Sequence, residues 1–149
     1  MPANRLLGLY FSEVLVRVFI SSQAIDDESA QEFVRAIRAE NIAVEHSPRN
    51  PIHGHDPRWP EWYSSGLATT VANCDLFVVV VDKGWDSSTW MGVEAEAWRA
   101  RWAGQLPHAF YWNPHSILVC DGMSHYLKEE LPKGLKAAVK KITMQRNLL

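Results

Sequence analysis

Cysteine is scarce in this chain: Cys74 and Cys120 are the 2 present in 149 residues. Each adjoins an apolar, strand-like run, and they share no metal-ligand spacing. That argues against a disulfide framework or a thiolate metal centre, and for buried thiols in a reducing compartment. Charge of one sign is equally lacking. With 15 Lys and Arg against 17 Asp and Glu, the net is −2, which disfavours a nucleic-acid binder that relies on bulk positive charge. No apolar run is long enough for a bilayer. The mildly apolar stretch 1–11 is broken by Glu13 and Arg17 before a signal core or membrane span can form. Repeats and low-complexity tracts are also missing. So are a G-x-G-x-x-G turn and a phosphate loop, which disfavours a Rossmann cofactor site or a nucleotide triphosphatase. The expectation is one cytoplasmic globular domain over 1–149, with no nucleic-acid and no membrane partner.

What the chain does have is concentrated in 76–102. Phe77-Val78-Val79-Val80-Val81 is an apolar, β-branched run suited to a strand buried on both faces of a parallel sheet. Asp82-Lys83-Gly84 ends it, and Ser87, Ser88 and Thr89 are N-cap candidates for the next helix. At about 100° per residue, Met91, Ala95, Trp98 and Trp102 form one apolar stripe on that helix. Glu94 projects between Trp90 and Trp98. On a structural reading it is a solvated glutamate partnered by Arg101. On a functional one it is a carboxylate held one turn behind a strand-to-helix corner.

Taken in order, 14–22 reads as the first strand, and a helix carrying Phe33, Val34 and Ile37 follows a cap at Asp27 or Ser29. A short second strand covers 42–45. Residues 47–60 hold 4 prolines and a glycine and read as an irregular loop, long for a compact α/β unit. Pro60 opens a helix to about Ala72 with Leu67 and Val71 facing inward. Beyond 76–102, residues 108–112 read as a fourth strand and 117–120 as a fifth, with a position nearer Tyr126 as the alternative. A last helix starts at Pro132 or Lys133 and turns Leu135, Ala138, Val139 and Ile142 inward. This alternation predicts an α/β, flavodoxin-like three-layer fold around a central, mostly parallel five-stranded sheet. In such a sheet ligands bind beyond the carboxyl ends of the strands at the switch point. The loops at 21–27, 47–60 and 82–90 meet there, next to Glu94.

Ser87-Ser88-Thr89-Trp90-Met91-Gly92-Val93-Glu94 resembles the S-S-x-W-C-x-x-E segment of Toll/interleukin-1 receptor (TIR) domains, with Met91 at the cysteine position. Val18-Phe19-Ile20-Ser21-Ser22 is similar to the family's opening V-F-I-S-Y segment, with Ser22 replacing the aromatic. Residues 47–60 stand where the family has its BB loop, and 73–81 look like its lead into the third strand. The likeness covers about 14–103 and weakens afterwards.

The resemblance implies an enzyme that cleaves the nicotinamide–ribose bond of NAD, by hydrolysis or cyclisation to an ADP-ribose-type signal. NAD is then a substrate, with no cofactor. Glu94 would be the catalytic residue. Nicotinamide leaves as a neutral molecule, so one carboxylate opposite the developing oxocarbenium charge suffices. Phe19, Trp59, Trp85 and Trp90 are candidate walls for nicotinamide or adenine. Arg49 and Arg58 are candidates for the diphosphate, and Ser21, Ser22 and Ser88 offer hydroxyls. Core packing, solvation and helix capping are the structural roles open to the same residues. The resemblance further implies self-association through TIR–TIR contacts. It places the chain closest in kind to stand-alone bacterial TIR proteins of anti-phage defence, whose product acts on a separate effector.

Other readings are weaker. A non-catalytic TIR interaction module is the alternative, and it has no use for Glu94. Nucleoside deoxyribosyltransferases also set a glutamate against an N-glycosidic bond but lack the Ser-Ser-Thr-Trp context. A phosphoacceptor receiver needs acidic residues where Ser21 and Ser22 stand. His53-Gly54-His55-Asp56 lacks a further metal ligand at suitable spacing.

Overall fold

A strand of consecutive large apolar residues can exist only where both of its faces are covered. Leu76–Val80 (β3) meets that condition, with every residue buried, and it is the middle strand of five in the order β2-β1-β3-β4-β5. The computed structural model describes residues 15–22, 28–46, 66–82, 89–102, 108–119 and 129–149, with backbone alone at 68, 89, 90, 92 and 93. The remaining strands are Arg17–Ser21 (β1), Ala43–His46 (β2), Ala109–Trp112 (β4) and Glu129–Glu130 (β5). Every pairing is parallel. Helices Glu28–Ala39 (α1), Ala68–Ala72 (α2), Thr89–Arg101 (α3) and Leu135–Asn147 (α4) complete the described elements. This is the expected flavodoxin-like α/β architecture.

Alternation along β1 and β3 divides the core in two. Val18, Ile20, Leu76, Val78 and Val80 join Phe33, Val34 and Ile37 of α1 and Ala138, Val139 and Ile142 of α4. Phe19, Phe77, Val79 and Val81 face the other way, toward Leu67, Val71 and Met91, Ala95 and Trp98 of α3. The chain steps from β1 outward to β2 and then back across β1 to β3. Crossovers of one hand therefore put α1 and α3 on opposite faces. The switch point lies between β1 and β3.

Several boundaries differ from expectation. β1 begins at Arg17, and β2 is shifted by one to end on His46. α4 begins at Leu135 after an extended Gly134, rather than at Pro132 or Lys133. The larger correction is β5. Residues 117–119 are not a strand; the fifth strand is the exposed pair Glu129–Glu130, at the sheet edge opposite β2. Asn113 explains the difference. Its amide nitrogen donates to Ile117 O at 2.8 Å and its Oδ1 accepts from Ile117 N at 2.9 Å, while Ser116 takes a positive φ of 53°. The side chain thus closes a turn that diverts the chain out of the sheet. Ile117 and Val119 then cover the α2–α3 core as irregular chain. They are partly buried on either side of an exposed Leu118, so this apolar run serves packing without pairing.

Candidate active site

At the carboxyl end of β1 two hydroxyls emerge in succession. Ser21 lies on the same side of the strand as Phe19, the side covered by α3. Its Oγ donates to Glu94 Oε1 at 2.7 Å across 73 residues of chain. Both residues are 0% exposed. The helix that delivers Glu94 is patterned for a core. Met91, Ala95 and Trp98 are buried at the i, i+4 and i+7 positions, and Glu94, at i+3, occupies the remaining inward slot. An ionisable side chain at a core position is uncommon, because desolvation disfavours it unless polar partners compensate. The Ser21 hydroxyl is one such partner, placed there by the β1–β3 register that sets Ser21 beside Val79.

Ser22 points its chemistry elsewhere. It is 4% exposed, and its Oγ lies 2.6 Å from His46 Nε2. Register brings the two together: Ile20 stands opposite His46, so the last residue of β2 reaches the first residue past β1. Ser21, Ser22, Glu94 and Asn113 are the buried polar residues among those described. Asn113 serves the turn after β4, whereas the other three gather at the end of β1.

Arg101, the structural partner proposed for Glu94, is engaged at the opposite end of the sheet. Its guanidinium donates to Val71 O at 3.0 Å and to Cys74 O, and it stacks over the rings of Trp98 and Trp102 at 5.2 and 4.6 Å. Seven residues separate Arg101 from Glu94, about two helical turns, so one end of α3 carries the carboxylate and the other the cation. Cys74, beneath that cation, is a buried free thiol whose pKa is pushed up to about 12, chiefly by burial.

Of the residues picked from sequence, Ser21 and Glu94 are in contact, and Ser22, the next residue along, pairs with His46. Phe19 is 2% exposed and stacked on Phe77 at 5.6 Å, with Phe77 in turn on Trp98 at 5.5 Å. Its ring is part of the core behind the site. Arg49, Arg58, Trp59, Trp85, Ser88 and the side chain of Trp90 lie outside the described residues, as do His53, His55 and Asp56. His46 was not among the candidates. The only signal for it was an imidazole at the end of a short strand, and its partner becomes visible only through strand register.

No protein-family model matches the chain, and neither the curated proteins nor the solved structures contain a match to it.

Proposed function

We propose that the chain cleaves the nicotinamide–ribose bond of NAD, with Glu94 as the residue that stabilises the oxocarbenium-like transition state. The observation that carries this reading is a buried carboxylate, hydrogen-bonded by Ser21, at the switch point of a parallel sheet. Its support is threefold. The place is where open α/β sheets bind ligands. A preorganised carboxylate shielded from water interacts strongly with developing positive charge. The bond to a cationic pyridine needs no acid to break, so a site with one carboxylate is chemically sufficient. Ser21 holds the carboxylate in place through Oε1. Because Glu94 has 0% exposure, the reading requires local rearrangement around it when the ribose enters.

In this reading the products are nicotinamide and ADP-ribose or a cyclic isomer, a cytoplasmic signal for a separate effector protein. Copies of the chain associate through TIR–TIR contacts to complete the site. The test is direct: incubate the purified chain with NAD and resolve the products by chromatography. Nicotinamide release that depends on Glu94 is the expected result. A chain that assembles with TIR partners and never consumes NAD would instead be an interaction module.

A further inference from the structure

We propose that the groove between α1 and α4 docks a helix of a second protein, one that is apolar on the face it inserts and acidic on its flank. Residue size makes the groove. On α1 the bulky Phe33, Val34 and Ile37 are buried in the core, whereas Ala36 and Ala39 present a methyl group each. The space that they leave against Leu135 and Val139 of α4 amounts to about 490 Å³. Val139 is 7% exposed, and Ala36 and Leu135 are partly exposed, so the lining is apolar yet open. A concave apolar surface of this kind is the receptor side of helix-in-groove recognition.

Charge selects the occupant. Residues 131–149 hold Lys133, Lys136, Lys140, Lys141 and Arg146 and no acidic residue. Lys133 pairs with Glu130 at 3.4 Å and Lys141 with Glu129 at 2.6 Å, and Arg146 donates to Glu40 O at 2.6 Å. Lys136 and Lys140, exposed and one turn apart along the groove, have no ion-pair partner among the described residues. Acidic residues one turn apart on the incoming helix answer them. Glu40 also lines the groove and lies beside Arg146 in the last turn of α4, so that end favours a cationic group in the occupant. A second copy of this chain does not supply such a helix. A two-fold contact sets groove against groove, and two concave faces leave each other unfilled. The exposed apolar side chains at the end of α4, Met144 and Leu148, are flanked by Lys140 and Lys141, which would meet Lys136 and Lys140 as like charges.

Fluorescence anisotropy with the full chain supplies the test. The probe is a labelled peptide of about 18 residues, long enough to form a helix once docked, with leucines along one face and glutamates on both flanks. The wild type should bind it, and should bind the same peptide with lysine in place of glutamate about tenfold more weakly or worse. Lys136→Glu combined with Lys140→Glu should invert that order. Lys141→Glu combined with Arg99→Glu changes the net charge equally at ion-paired positions outside the groove, and should leave the order as it is. Ala39→Trp fills the groove from an exposed position and should abolish binding of both peptides; if it fails to fold, the two charge-reversed variants decide. A peptide that does not bind, that follows net charge alone, or that binds folded Ala39→Trp as it binds wild type overturns the proposal. So does either rival occupant in a chain that ignores the peptide. Self-association removed by Ala39→Trp would give the groove to a second copy. Binding to anionic phospholipid vesicles that is lost in the Lys136 and Lys140 variant would give that face to a membrane.

Discussion

Glu94 is an ionisable residue in a core slot of α3, and its buried environment makes both its charge and its partner consequential. Glu94→Gln preserves size and removes the charge, so it should fold and yet lose NAD turnover by on the order of a hundredfold to a thousandfold. Glu96 is the internal control. It is exposed and ion-paired with Arg99 at 3.6 Å on the outer side of the same helix, and Glu96→Gln should turn over NAD near the wild-type rate. Equal activity in Glu94→Gln and wild type would end the enzyme assignment. Ser21→Ala removes a hydroxyl donor from a carboxylate sealed from water, a loss of roughly 1–3 kcal/mol in stability. Urea unfolding of the variant should show a lower midpoint with an unchanged slope.

At the scale of elements, α3 is held to the sheet by a run of rings, Phe19 on Phe77 on Trp98, with Trp98 0% exposed and Trp102 tilted against it at 5.8 Å. Removing the central indole leaves a cavity between α3 and β3, so Trp98→Ala should cost about 3–5 kcal/mol in equilibrium unfolding. At the foot of β3, Cys74 supplies a pH-dependent term. Its pKa rises from 9.0 unfolded to about 12 folded, so between those values the unfolded chain has lost a proton that the native one retains. The contribution to stability is complete below pH 9 and is lost as pH rises toward 12, at about 1.4 kcal/mol per pH unit. Cys74→Ala should flatten that alkaline fall. Alkylation of the native chain near neutral pH should leave Cys74 unmodified until denaturant is added. Rapid labelling of native Cys74 would show that the thiol is not shut away as described.

For the molecule as a whole, the five-stranded parallel sheet places the buried Ser21–Glu94 pair at the carboxyl end of β1, where β1 and β3 send their helices to opposite faces. If TIR–TIR contacts complete that site, NAD turnover should rise more than in proportion to protein concentration. Strict proportionality in a chain that sedimentation shows to be monomeric would count against assembly. Much of this organisation was legible from sequence. The run 76–81 could only be a strand covered on both sides, and the spacing of Met91, Ala95 and Trp98 could only be an inward helix face, since burial of such residues dominates any local alternative. Glu94 stood out because it interrupted that face. Patterning also misled where one side chain outweighed it: the apolar run at 117–119 reads like a strand, and Asn113 turns it out of the sheet. Periodicity along the chain reports which face a residue occupies. It carries no record of which strand lies alongside, or at what offset. The sequence by itself therefore determined the layers, the central strand and the carboxylate. Only the tertiary structure decided that Ser21 would meet Glu94 and that His46 would meet Ser22, because both contacts depend on the register of parallel strands joined through intervening helices.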